Sequence, residues 1–277
     1  MVIGYNNGKI YTKMVHPKAD YYPMMEQEID HTTPNQAVFF IGTSGWTYDH
    51  WKGCFYPVGL PKSQWFEYYS SHLPAVEVNA TFYRAFNDHT YLNWKERAPQ
   101  GFGYVLKAPR NITHRKYLIG VEEDIKTFCR SSALLGDRME MILLQVAPGT
   151  PYNLERLEKA LRAFSDPGRV AVEFRNPHWL TQETESLLQA VGATFCNVDS
   201  PQQKLTNLLT SDRAYLRLHG RGHWYAYNYS HDELKEIANL AQELASRGAR
   251  RVFVFFNNDF EGYAPANALT LLELIRA

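Results

Sequence analysis

Residues 214–224, Ala-Tyr-Leu-Arg-Leu-His-Gly-Arg-Gly-His-Trp, hold the densest set of groups in the chain that could act on a ligand. Ala214, Leu216 and Leu218 are apolar, and Tyr215, Arg217 and His219 alternate with them. Successive residues of a strand point to opposite faces, so Arg217 and His219 share one face and lead into a Gly-flanked loop with Arg221, His223 and Trp224. Two cations in line, aimed into a basic aromatic loop, suit an anionic or hydroxyl-rich ligand, because the guanidinium fork matches phosphate and carboxylate geometry.

Other stretches carry matching chemistry. Lys107, Arg110, His114, Arg115 and Lys116 follow one another closely. Glu77 and Glu173 are separate carboxylates that, with His219, could exchange protons near neutral pH. A two-carboxylate glycosidase is one version, although chain order does not give the carboxylate separation that would define it. Trp46, Tyr83, Trp179, Trp224, Tyr225 and Tyr227 could stack on a sugar ring or a base. Asn79, Asn257 and Asn258 could hydrogen-bond hydroxyls or amides. Glu77, Glu173, Asp199 and His219 could meet on a divalent ion, but there is no HxH or HExxH spacing and Lys107, Arg175 and Arg217 would repel a cation, so neither a metal nor a cofactor is expected. The competing account makes Glu77, Glu173, Lys107, Arg175 and Arg217 an internal ion-pair network that shapes a core without chemistry.

The elements that must position these groups come in a regular rhythm. Apolar strand patterns fall at 38–43, 75–79, 103–107, 139–146, 170–174, 194–198, 214–219 and 251–256. Helical patterns fall between most of them, at 62–72, 88–98, 121–135, 153–164, 181–190 and 231–246, with a last one at 265–276. The link from 199 to 213 has at most a short helical turn. Strands alternating with helices predict a mainly parallel sheet, and eight is the number that closes a barrel. An open doubly wound sheet would advertise a Gly-rich phosphate loop after its first strand, and GTSG at 42–45 lacks that spacing.

Strand parity then assigns an inside and an outside. Helices would pack at great cost on buried charge, so the apolar set of each strand faces them and the other set lines the barrel. Glu77, Asn79 and Thr81 are thereby inward, as are Val105 and Lys107, Met141, Leu143 and Gln145, and Ala171, Glu173 and Arg175. Tyr215, Arg217 and His219 are inward too, and so are Phe253, Phe255 and Asn257. On the sixth strand Asn197 and Asp199 are expected inside, with Cys196 and Val198 outside. Polarity rises toward the carboxyl end of each strand, where barrel enzymes keep their sites.

The bulk numbers agree with one globular domain. The 277 residues are 45% hydrophobic and 21% charged with zero formal charge, which argues against a protein that coats nucleic acid through its overall field. Cys54, Cys129 and Cys196 form no CxxC pair, which favours a reducing, cytoplasmic setting and inert thiols. No apolar run nears the roughly 18 residues of a membrane span, and no secretory signal is expected at the N-terminus. Residues 1–36 read as an irregular arm without its own core, either partly disordered or packed on the barrel through Tyr21, Tyr22 and Met24, and residues 37–277 as the barrel domain.

Six ordered motifs carry a resemblance: GTSGW (42–46), EVNATFY (77–83), KAPRNITH (107–114), EFRNPHW (173–179), RLHGR (217–221), and FFNND with APANA (255–259, 264–268). From about residue 38 onward the chain resembles the YecE-like family, a domain of unknown function. The resemblance implies a TIM-type (β/α)8 barrel and no established reaction. Its characteristic positions correspond to Gly45, Trp46, Glu77, Asn79, Thr81, Tyr83, Lys107, His114, Glu173, Arg175, Arg217, His219, Asn257 and Asn258.

The expectation is a cytoplasmic (β/α)8 barrel whose mouth binds a small anionic or sugar-like ligand, phosphorylated or carboxylated. Glu77, Glu173 and His219 are the candidate acid–base groups. Trp46, Asn79, Tyr83, Lys107, His114, Arg175, Arg217, Arg221, Asn257 and Asn258 are the candidate binding groups. The rivals are a nucleic-acid-binding or phosphodiester-processing protein using the basic loops, and a ligand sensor without turnover.

Overall fold

The computed structural model describes residues 2–6, 9–13 and 37–277. The chain divides into two compact units, residues 1–34 and 35–277. In the first, Val2–Asn6 and Lys9–Lys13 pair as an antiparallel hairpin, with Val2 opposite Lys13 and Asn6 opposite Lys9. Regular pairing therefore stands where an irregular arm was expected. The expected packing of Tyr21, Tyr22 and Met24 lies outside the described residues.

The second unit is a closed barrel of eight strands: β1 Val38–Ser44, β2 Ala75–Val78, β3 Gly103–Lys107, β4 Met139–Val146, β5 Val170–Phe174, β6 Thr194–Asp199, β7 Arg213–Leu218 and β8 Arg251–Phe256. Neighbours pair in parallel in chain order, and β8 closes onto β1 with Val254 opposite Ile41. Gly42 is required on the other side of β1, where it pairs with Ala75 of β2. A Cβ there would lie 1.9 Å from the Ala75 carbonyl oxygen.

Seven helices of eight residues or more pack outside among the described residues: α1 Trp65–His72, α2 Asp88–Arg97, α3 Glu122–Ser132, α4 Leu154–Arg162, α5 Gln182–Val191, α6 His231–Ser246 and α7 Tyr263–Arg276. Their starts follow local chemistry. Ser230 and Glu233 close a reciprocal capping box at the head of α6, and Asn153 accepts the Arg156 N–H at 2.8 Å before α4. Leu234, Ile237, Ala238, Ala241 and Leu244 recur at helical spacing and are the buried stripe of α6. None of these helices is long and apolar enough to cross a membrane.

Two apolar layers result. The outer one joins strand backs to helices through Val76, Leu106, Leu144, Val172, Leu216 and Val254. The inner one fills the lower barrel with Phe40, Val105, Met141, Leu143, Ala171, Tyr215, Phe253 and Phe255. Phe40 stacks on Phe253 with centroids 4.8 Å apart.

The sixth strand departs from the expected parity. Cys196 and Val198 belong to the inner layer, and Asn197 points out. The reason is the covering element. No helix of eight residues or more links β6 to β7, so coil packs on β6, and coil backbone needs partners that a helix would satisfy internally. Asn197 supplies them. It accepts from the Leu208 N–H at 2.9 Å and the Thr206 hydroxyl at 2.7 Å, and donates to the Leu208 carbonyl at 3.0 Å. Asp199 likewise turns to Arg221, 3.0 Å away, and not to the barrel axis.

Candidate functional site

Glu77, Glu173, Arg217 and His219 meet at the carboxyl end of the barrel, above the inner apolar layer. They come from three strands, Glu77 from β2, Glu173 from β5, and Arg217 with His219 from β7 and its end, and each is at most 1% exposed. Arg217 is the hub. Its Nε lies 3.0 Å from both Glu77 oxygens, and its Nη2 donates to Glu77 Oε1 at 2.7 Å. Its Nη1 donates to Glu173 Oε2 at 3.0 Å. One guanidinium thus bridges two carboxylates from opposite sides of the barrel, which is the bidentate recognition the residue type permits.

The remaining lone pairs are also used. Ser44 Oγ donates to Glu77 Oε1 at 2.7 Å and the Tyr215 hydroxyl to Oε2 at 2.6 Å. Gln145, which stands opposite Glu173 in the β4–β5 register, donates to its Oε1 at 3.0 Å, and Arg175 Nε contacts the same oxygen. Burial by itself would raise both carboxyls. The Arg217 charge and these bonds win, holding Glu77 below the ordinary value and Glu173 well below it. Neither group is a proton donor near neutrality, and the Arg217 guanidinium occupies the space between them.

His219, unlike the two carboxylates, is neutral. Arg175 Nη2 lies 2.9 Å and Arg217 Nη1 3.1 Å from its Nε2. A guanidinium only donates, so Nε2 accepts and the ring proton sits on Nδ1; the Asn257 amide, whose nitrogen stands 3.0 Å from Nδ1, must then be turned so that its oxygen accepts. Burial, then the Arg217 charge, push its pKa down to about 4.

Above this sealed floor lies a second, less neutralised tier. Lys107 is 7% exposed, and among the described residues it enters no ion pair. Its Nζ sits 4.2 Å from the Phe82 ring centroid, and His114 meets the same ring edge-on at 4.9 Å. Burial, then Arg217, lower the Lys107 pKa to about 7. His114 is held below its ordinary value by burial and then by Lys107. The Arg175 guanidinium lies over the Trp224 ring, 5.0 Å from its centroid, and its side chain is 17% exposed. Thr81 fixes the tier from behind, donating to the carbonyls of Lys107 at 2.7 Å and Val78 at 2.9 Å.

Other candidates lie elsewhere. Arg221 is tied to Asp199, Glu233 and Glu236 at 3.0, 3.2 and 3.1 Å, which binds the loop after β7 to α6. Asn258 is fully buried and donates to the Tyr227 carbonyl and to Asn267 Oδ1, so the FFNND and APANA motifs meet as a loop clamp. Trp46 packs edge-on against Phe66 and Trp94 in the helix layer, and Trp179 stacks on Phe174, fully buried. Tyr83 is 69% exposed at the rim. Asn79 follows β2 directly, half-buried, at the start of a single helical turn.

The sequence reading passed over Ser44, Tyr215, Gln145 and Phe82 as site residues. The first three carried a usable signal, since each shares barrel-facing parity with its partner. Phe82 did not. Two surface cavities, of about 490 and 330 Å3, lie away from the charged cluster, the larger between α5 and the coil at Leu208.

Among the described residues, no group of three or more His, Cys, Asp or Glu could hold a metal ion.

The model of the family described as "Protein of unknown function DUF72" matches residues 40–277. The UPF0759 protein YunF of Bacillus subtilis (strain 168) is 26% identical over 271 residues, covering 86% of this chain and 95% of that protein. A DUF72 family protein of Thermotoga maritima MSB8 is 32% identical, with a TM-score of 0.79 over 87% of this chain and all 100% of its own. One from Enterococcus faecalis V583, at 23% identity and TM-score 0.76 over 87% and 96%, shares the fold. The chain belongs to the DUF72 family, a family of unknown function.

Proposed function

We propose that the upper tier of the barrel mouth binds a small anion, a carboxylate or phosphate, through Lys107 and Arg175. The observation that carries this is charge imbalance in a desolvated place. The inward set holds two carboxylates, Glu77 and Glu173, against Arg175, Arg217 and Lys107, with Lys107 outside every ion pair formed among the described residues. A buried ammonium without a counter-charge is costly, and an anionic ligand relieves that cost. In this reading Glu77, Glu173 and His219 do not shuttle protons. They hold Arg217 and Arg175 in place and so set the field that the ligand meets. Trp224 and exposed Tyr83 favour ligands with a flat or sugar-like body.

Thermal unfolding in the presence of inorganic phosphate, pyruvate or a sugar acid tests the reading. Saturable stabilisation is expected, reduced about tenfold or more in apparent affinity by Arg175→Met or Lys107→Met and unchanged by Arg221→Ala. Stabilisation that survives both mouth substitutions, or none with any anion, overturns it. Salt-sensitive retention of single-stranded DNA through exposed Arg110 and Arg115 is the result that favours a nucleic-acid partner instead.

A further inference from the structure

We propose that Lys107 is the amine nucleophile of an imine-forming site for small 2-oxo acids, with Arg175 taking the acid's carboxylate. The inference rests on the anion-binding reading above and goes beyond it by naming the substrate class and a covalent step. An anion site needs only positive charge, and an arginine at 107 would serve it better, since the planar fork stays charged in any surroundings. A lysine amine set among apolar and cationic groups is the arrangement that activates lysine toward carbonyl carbons.

The surroundings of Nζ meet that description on each side. The Phe82 ring is 4.2 Å away. Arg217 and, less strongly, Arg175 contribute positive charge that Glu173 and Glu77 only partly offset, with Glu77 paired to Arg217 and Glu173 to Arg217 and Arg175. His114 shares the Phe82 ring and carries a depressed pKa of its own. A lysine pKa of about 7 leaves a large share of the amine unprotonated at neutral pH. Arg175 is held within reach of the mouth by its contacts with Glu173, His219 and Trp224, which leaves its partly exposed edge for a ligand carboxylate.

The step balances without a co-reactant. The Nζ lone pair forms a C–N bond to the ketone carbon while the C=O π pair moves onto oxygen, which takes up a proton. The nitrogen gives up two protons in all, one matching the proton taken up by the oxygen and one carried off as the hydroxyl leaves as water while the nitrogen lone pair forms the C=N bond, and an imine remains. Once protonated, that imine draws electrons from the neighbouring carbon. The activity it serves is making or breaking a bond at that carbon.

The test is reductive trapping of the full chain at neutral pH with pyruvate and borohydride, read by peptide mass spectrometry. The expected result is one reduced pyruvate adduct on Lys107, about tenfold or more above exposed Lys126 and Lys159. Inorganic phosphate should compete it away, and the adduct should be missing from a folded Lys107→Arg variant. Adducts on exposed lysines alone, in protein that pyruvate stabilises thermally, overturn the imine and leave the anion site standing. If neither pyruvate nor phosphate stabilises the protein and Lys107 stays unmodified, both proposals fall together.

Discussion

Arg217 and Lys107 are both cations carried inward at the carboxyl ends of barrel strands, yet their electrostatic situations are opposite. Arg217 is gripped by Glu77 and Glu173, and those bonds hold its pKa well above the ordinary value despite complete burial. Lys107 has an aromatic ring and other cations for company, and burial lowers it to about 7. Charge that is fully paired shapes a structure, whereas buried charge left over is poised for a partner. Self-neutralisation among the five charged residues thus describes Glu77, Glu173, Arg175 and Arg217 and does not extend to Lys107.

Breaking the floor should have the largest effect. Arg217→Met leaves buried Glu77 without an ionic partner and Glu173 with Arg175 alone, and should cost about 3–5 kcal/mol in urea unfolding. A cost under about 1 kcal/mol would mean that Glu77 and Glu173 find other partners and that the hub is not a hub. The floor should also be sensitive to acid. The folded pKa values of Glu77 and Glu173 lie below the unfolded ones, so their contribution is present above the unfolded value near 4.5 and is lost as pH falls. His219 acts in the same direction. With a folded pKa of about 4 against 6.5 unfolded, the unfolded chain binds its proton first, and stability declines from pH 6.5 downward. Urea midpoints measured from pH 8 to 4 check both, and His219→Gln should flatten the upper part of the decline.

Asn197→Leu tests the outer wall against the floor. It restores the apolar face expected on β6 but orphans the Leu208 N–H and the Thr206 hydroxyl, and should cost about 2 kcal/mol by chemical denaturation. Lys107→Met sharpens the comparison most, because its sign is reversed. Removing an unpaired buried cation should stabilise the neutral-pH protein by about 1 kcal/mol while weakening apparent anion affinity about tenfold or more. In the unaltered chain, Lys107 makes native stability rise between pH 7 and 10.5, where only the unfolded state keeps the proton, and the variant should lack that rise. The smallest effect is expected at Tyr83. With 69% exposure, Tyr83→Ala should alter stability by less than about 0.5 kcal/mol and weaken only ligands with a ring.

The legibility of the site varied with what covered each strand. Where a helix follows, as with β3, β5 and β7, alternation located Lys107, Glu173 and Arg217 correctly on the inner face, since helices tolerate only apolar backs. Over β6 the same rule inverted Asn197 and Cys196, because coil has backbone groups that a polar side chain must satisfy. Arg221 and Asn258 were legible as polar residues near the mouth, but their partners Glu233, Glu236 and Asn267 stand on α6 and α7. Nothing in strand parity says which way a loop side chain turns.

Periodicity along the chain determined the eight strands, their parallel order, the capped helices and the gathering of polar residues at one end, because each depends on neighbours a few positions apart. The tertiary structure alone decided which charges were already spent. Glu77 and Arg217 are 140 positions apart, and only barrel closure brings them to 2.7 Å. The charge on Lys107 remains unspent for the same reason: among the described residues, closure brings no carboxylate within ion-pairing distance of it.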